Sequence, residues 1–392
     1  MSRSKLPLRG NDIRIRNEKL ILSLIQKNEN LSQSEAVNLT GLKPPTILRI
    51  FANLENDKLI KVNKKSTVSS EKKGRKPVYY RINPKAAFAI GVDFCSTSIS
   101  VVIVDFDRSP IYSRFIDIDE VHTGDSIYSL ICDLIEEGIE KSSIPRSKIL
   151  GIGVGAPGKV DISTGTVVFY DRIEGLSDYP LKEKMEKHFD TPLFVNNNCS
   201  VIAMNEYRYG RVSESKSLVT LLIRSGVGGA FINDGRVLTT NGTTTMEIGH
   251  TSIDYDGRLC ECGERGCLQS YLAEPAILKD IQSFCEIKSF IDIDEKITSG
   301  NCDIDQFIRE KAEQMTKGLK MLSRVFSPDT FLIISRSPLY AEKLAFYTDE
   351  LMQNDPCKFD NIEGLSIKHC SYNPVNAGQG AADLVFNDYF SN

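Results

Sequence analysis

The sequence predicts a winged helix-turn-helix head followed by a two-lobe α/β body, and three observations carry that prediction. The first is charge. Residues 1–85 hold 19 Lys and Arg against 7 Asp and Glu, net +12, whereas residues 86–392 hold 29 against 45, net −16. The second is a run of helix, short helix, Gly turn and amphipathic helix within residues 13–56. The third is a pair of similar strand–turn–strand units at 89–104 and 218–233, which suggests a duplicated body with a cleft between its halves. A length of 392 residues with 41% hydrophobic content suffices for two or three cored domains.

In the head, Ile13, Leu20, Ile21 and Ile25 recur near helical spacing over residues 13–27. Ser32 with Glu35 three residues on is a capping box, in which each side chain satisfies an orphan backbone amide. Thr40–Gly41 is a helix stop, and Pro44 or Pro45 can open the next helix because a missing N–H costs nothing there. That third helix sets Ile47, Phe51 and Leu54 on one face and Thr46, Arg49 and Asn53 on the other, with Lys43 just before it. Residues 59–62 and 77–82 read as two strands around a polar, basic wing that carries Lys72, Lys73, Arg75 and Lys76. Such lysine and arginine density suits phosphate neutralisation, and short polar side chains at a helix start suit base reading. DNA is the expected partner, through Lys43, Thr46, Arg49 and Asn53 at the helix and the four basic wing residues.

Beyond Asn83–Pro84 the texture becomes strands alternating with helices and Gly-rich turns, which implies packed α/β sheets. A strand ending near Val195 runs into three amides, Asn196, Asn197 and Asn198, which reads either as a turn or as a pocket rim that grips a polar ligand. Cys260, Cys262 and Cys267 lie within eight residues, with His250 ten upstream of the first. Three thiolates and an imidazole complete a tetrahedral zinc shell with no open position, so a structural Zn²⁺ is expected. The chain has no apolar stretch near the ~20 residues of a membrane span. No membrane partner and a cytoplasmic location follow as expectations, with the ten cysteines as thiols or metal ligands and not a disulfide framework.

The stretches Glu247–His250 and Cys260–Gln269 resemble the E-x-G-H and C-x-C-G-x-x-G-C-L-E signatures of the repressor, open reading frame and kinase (ROK) family, and the likeness covers nearly the whole chain. It implies an actin-like, hexokinase-like pair of lobes behind a winged helix at 1–84. The ROK domain would span 85–392, with lobe 1 at about 85–200 plus a C-terminal helix at about 376–392, and lobe 2 at about 201–375 with the zinc site. Members with the head are typically repressors released by a sugar or sugar phosphate, and members without it are typically kinases. Sugar-site residues carry over to Pro157, Gly158, Asn197, Asn198, Glu247, His250 and Gln269, with Gln269 where a Glu is usual.

Asn198 stands where the kinases place a general-base Asp, and an amide cannot take a proton at neutral pH. Three nucleotide turns depart together, at Asp93-Phe94-Cys95-Ser96-Thr97, at Arg224-Ser225-Gly226-Val227-Gly228 and at Ile334-Ser335-Arg336. The resemblance therefore implies a non-enzymatic, sugar-responsive repressor with no ATP, acting as a homodimer or homotetramer. An active sugar kinase with a DNA-binding head is the alternative.

Overall fold

The computed structural model describes residues 10–63, 77–118, 122–300, 303–354 and 364–391. The head comprises α1 (Gly10–Lys27), β1 (Leu31–Ser32), α2 (Gln33–Thr40), α3 (Pro44–Asn56), β2 (Ile60–Val62) and β3 (Tyr79–Ile82). Ser32 and Glu35 form the reciprocal capping box at the start of α2, and Gly41 ends that helix in the left-handed region. Helix α3 starts with Pro44 at its first turn and buries Ile47, Ile50, Phe51 and Leu54, spaced to fall on one face. Antiparallel strands in the order β1-β3-β2 close the unit, with Phe51 edge-on to Tyr80 at 5.0 Å. The first strand is a two-residue addition that the sequence reading missed. Two residues expected in the core of α1 are not in it: Ile13 is 46% and Leu20 45% exposed, and Ile21, Leu22 and Ile25 carry the packing. The wing residues Lys72, Lys73, Arg75 and Lys76 lie outside the described residues.

The body holds two five-stranded sheets of the same topology. In the first, β4 (Phe88–Cys95), β5 (Ser98–Asp105) and β6 (Pro110–Asp117) form an antiparallel meander. On the other side of β4, β7 (Ile149–Ala156) and then β10 (Leu193–Asn197) run parallel to it. Strands β8 (Lys159–Asp161) and β9 (Thr166–Phe169) form a separate small ribbon. In the second sheet, β11 (Ser217–Ile223), β12 (Val227–Asn233) and β13 (Arg236–Val237) repeat the meander. Strands β14 (Thr330–Ser335) and β15 (Ser366–Ser371) repeat the parallel pair. The orders β10-β7-β4-β5-β6 and β15-β14-β11-β12-β13 correspond strand for strand, which is the duplication that the two strand–turn–strand units announced.

Every residue of β4 and β5 is buried, so both faces of the first sheet are covered. Helices α4 (Gly124–Ser142) and α5 (Leu181–Phe189) cover one face. The C-terminal α12 (Pro374–Ser391) covers the other so closely that a Cβ on Gly91 would lie 1.8 Å from the Gly378 carbonyl oxygen, and only glycine fits. Helix α6 (Asn198–Tyr209) lies between α12 and the second sheet. The far face of that sheet carries α7 (Gln269–Leu272), α8 (Glu274–Ile281), α9 (Ile293–Ser299), α10 (Ile304–Phe326) and α11 (Pro338–Asn354). Head and body share one core: Ile21, Ile25 and Phe51 belong to the same apolar cluster as Phe106, Val385 and Phe386. One departure concerns the cysteines, because Cys285 is disulfide-bonded.

Candidate functional site

Between the two lobes lies a cleft whose walls include Pro157, Gly158, Asn197, Asn198, Glu247, His250 and Gln269. The seven residues read from the sequence as a sugar site, scattered over 113 positions from 157 to 269, thus share one cavity. Asn196 is not among its walls; its Oδ1 accepts from the Thr244 hydroxyl and the Asn197 amide.

Asn197 ends β10 and is the N-cap of α6. Its Oδ1 accepts from the backbone N–H of Cys199 at 3.0 Å and of Ser200 at 3.3 Å, while its Nδ2 donates to the Gly158 carbonyl at 2.9 Å. Asn197 thus turns the chain from strand to helix and at the same time lines the cleft. Asn is a preferred N-cap, and that preference is a sequence signal that went unused. One amide hydrogen of Asn197 remains for a ligand. Gly158 has φ +69 and its missing Cβ would sit 2.2 Å from the Phe169 carbonyl, so the loop cannot take another residue without shifting. Thr245 of the second lobe donates to the same Gly158 carbonyl at 3.1 Å.

Asn198 is buried, and its Nδ2 donates to the Phe94 carbonyl at 3.3 Å while its Oδ1 accepts from the Cys199 thiol. A carboxylate here would face a carbonyl oxygen with no hydrogen to share. Burial pushes the Cys199 thiol up to about 12, so it stays protonated.

Sequence reasoning saw a bulky Arg224 in a phosphate turn but not what it does. The side chain crosses between the lobes. Its Nη1 donates to Asp93 at 3.1 Å, and its Nη2 to Ser98 Oγ at 2.7 Å and Cys95 Sγ at 3.0 Å. Its guanidinium also stacks over the Tyr372 ring at 4.4 Å. Tyr372 donates its hydroxyl to Asp93 at 2.8 Å. Burial, then the neighbouring carboxylate, pushes that hydroxyl up, so it remains a donor. Burial also pushes the Asp93 carboxyl above its ordinary value, and Arg224 and Tyr372 pull it back. The turns at Asp93–Thr97 and Arg224–Gly228 are thus bolted together by a buried ion pair. The third altered turn is closed as well, since Arg336 forks onto the Glu274 carboxylate.

The loop below the cleft brings His250, Cys260, Cys262 and Cys267 together, with one ligand atom from each lying within 4.8 Å of all the others. Cys260 Sγ is 3.8 Å from His250 Nδ1, and Cys262 Sγ is 3.6 Å from Cys267 Sγ. A tetrahedron with bonds of about 2.3 Å to sulfur spaces its sulfurs about 3.8 Å apart, so the set fits a zinc-sized ion. Gly266 makes the loop possible, because at φ +71 a Cβ would lie 1.6 Å from the Asp254 carbonyl oxygen. With Nδ1 turned to the thiols, the His250 Nε2 is left for the cleft.

Two further residues were missed. Glu261, between two of the cysteines, pairs with Arg172 from the opposite lobe and accepts from Gln269 Nε2 at 2.9 Å. Gln269 Nε2 also lies 3.4 Å from Cys260 Sγ. A Glu at 269 would repel both the carboxylate and a thiolate, which accounts for the amide. Glu247 stays exposed with no partner among the described residues.

In the head, Lys43 and Arg49 are exposed on α3, and Thr46 is half-buried. Asn53, expected to face DNA freely, instead donates to Glu18 of α1 at 2.9 Å. No described helix is long and apolar enough to cross a membrane.

A family model described as the ROK family matches residues 89–387, and one described as winged helix-turn-helix DNA-binding matches 16–61. The chain is 26% identical to a xylose repressor of Caldicellulosiruptor bescii over 342 residues, covering 83% of this chain and 84% of that one. It is 27% identical to the xylose repressor of Bacillus subtilis over 71% of each chain. A glucokinase of Halalkalibacterium halodurans is 29% identical over 48% of this chain and 58% of its own. Among solved structures, a ROK family transcriptional regulator, a homologue of the E. coli MLC protein, aligns with a TM-score of 0.76. It is 20% identical and covers 96% of this chain and 97% of that one. A Streptomyces griseus ROK glucokinase bound to glucose and AMPPNP aligns at 0.67, with 22% identity over 77% of this chain and all of that one. At these identities the solved structures establish the fold alone.

Proposed function

The chain belongs to the ROK family, and from that premise we propose that it is a sugar-responsive, DNA-binding transcriptional repressor without kinase activity. The observation that carries this reading is the Arg224–Asp93 bolt. A guanidinium fills the space between the two turns that would have to open around phosphates, on a chain that also carries a winged helix. The names of the repressor relatives, matched over head and body together, support the same reading.

In the cleft, Asn197 offers an amide hydrogen, Glu247 a free carboxylate, Gln269 its carbonyl and His250 an imidazole nitrogen, a set suited to sugar hydroxyls. Pro157–Gly158 closes the pocket from the first lobe. The Asn198 amide takes up no proton at neutral pH, so the site binds without activating a hydroxyl. A Zn²⁺ held by His250, Cys260, Cys262 and Cys267 would fix the imidazole orientation and the Glu261 loop, its chemistry being structural. Lys43, Thr46 and Arg49 on α3, with the basic wing, are assigned to operator DNA. Asn53 takes a lesser share because Glu18 holds its amide. The short reading helix covers few bases, so a homodimer or larger homo-oligomer on a two-fold site is part of the proposal.

Two assays on the full chain test it. Operator binding followed by band shift should be steeply salt-dependent and weakened in Arg49→Ala, with sugar binding unchanged. A coupled ADP-release assay across a sugar panel should stay at background. Turnover at the ~1–100 s⁻¹ of ordinary kinases would make the enzyme reading the better one.

A further inference from the structure

Resting on the sugar-sensing reading above, we infer that the cleft takes an uncharged, unphosphorylated sugar and excludes sugar phosphates. The argument is the state of its cations. Five side chains with formal charge line the cleft, and two of them, Arg172 and Arg224, are positive. Phosphate recognition relies on a guanidinium or ammonium free to give its N–H groups to the anion. Both cations here are already paired with a carboxylate. Arg224 is buried against Asp93, with further donors spent on Ser98 and Cys95. Arg172 is paired with Glu261.

The three remaining charges are carboxylates. Glu261 is taken up by Arg172 and Gln269, while Asp171 and Glu247 are exposed and have no described partner. The described walls therefore sum to a net negative site. A phosphomonoester brings about −1.5 to −2 charges at pH 7 and would meet two unpaired carboxylates without a free cation. Like charges set opposite one another across a binding surface weaken association and reject the wrong partner. A neutral sugar has the reverse fit, since its hydroxyls donate to Glu247 and to the Gln269 carbonyl. The adjoining recess adds Arg258, held by Asp280 at 2.8 Å, and Lys279 at its exposed rim, where any charge is screened by water.

The test is calorimetric titration of the full, metal-loaded chain with aldoses and N-acetylhexosamines, each run beside its own phosphate. At least one parent sugar is expected to bind, with its phosphate at least about tenfold weaker. A phosphate that binds as tightly as its parent or tighter overturns the inference and leaves the sensing reading standing. No binding by any member of either series overturns the sensing reading and this inference with it. The charge argument is probed separately by Glu261→Gln, which leaves Arg172 without its carboxylate. Phosphate affinity should rise about tenfold in that variant, a gain in the range of a single charge-assisted pair. An unchanged phosphate affinity contradicts the pairing argument. Should Glu261→Gln lose its metal, Asp171→Asn carries the same test at an exposed position. It should raise phosphate affinity by a smaller factor, and no rise there contradicts the argument equally.

Discussion

Arg224 and Asp93 form an ion pair with side-chain exposures of 5% and 0%, and their energetics follow from that burial. Removing one partner of such a pair strands the other charge and typically costs about 3–5 kcal/mol, whereas replacing both is often neutral. Arg224→Ala should therefore lower the body's stability by about that amount. The double variant Asp93→Asn with Arg224→Met should recover most of it, as read from chemical unfolding midpoints. Asn198→Asp is a second residue-scale case. The new carboxylate would face the Phe94 carbonyl, and Asp93 Oδ1 and the Asn198 Cα both lie within 3.4 Å of where a Gly155 Cβ would be. The crowding should raise the new group's pKa and leave ADP release at background. Turnover in Asn198→Asp at an ordinary kinase rate would show that the base alone was missing. The seven cleft residues were legible because each is a local motif position. Arg172–Glu261 and Arg224–Asp93 were not, because their partners are 89 and 131 residues apart and meet only in the folded chain.

At the scale of elements, the metal loop is the piece whose removal should be felt furthest. Its three cysteines gather around His250, and Glu261 between two of them reaches across to Arg172. About one Zn²⁺ per chain is expected, with loss of the metal in Cys262→Ser and a lower melting temperature of the body. Metal-free protein on fresh purification would contradict this. The loop was readable from cysteine spacing and its glycines, and α2 from its capping box. Element ends were read less well. Ile13 and Leu20 fit a helical period yet face outward, because the head's core is completed by α12 and Phe106, which only the tertiary fold supplies. That packing gives α12 a second role. It begins beside Tyr372, which holds Asp93, and ends with Tyr389 under Lys19 of α1 at 5.2 Å. Tyr389→Ala should loosen the head on the body and reduce the effect of sugar on DNA binding more than it reduces sugar binding itself.

For the whole molecule, the charge split predicts where DNA binds, and the duplicated sheets predict where the sugar binds. What neither predicts is that the two regions share an apolar core. A shared core gives a change in the body a direct route to the head, which couples the sites only if the sugar favours one placement of the head over the other. Coupling of this kind is reciprocal and typically about 1–3 kcal/mol, or roughly 5–150-fold in affinity. The most direct test is fluorescence anisotropy of labelled operator titrated with the full chain at fixed salt, with and without saturating neutral sugar. The account predicts at least a fivefold change in operator Kd, within that coupling range, and an equal change in sugar Kd when operator is present. A sugar that binds the cleft while operator Kd stays the same would contradict it.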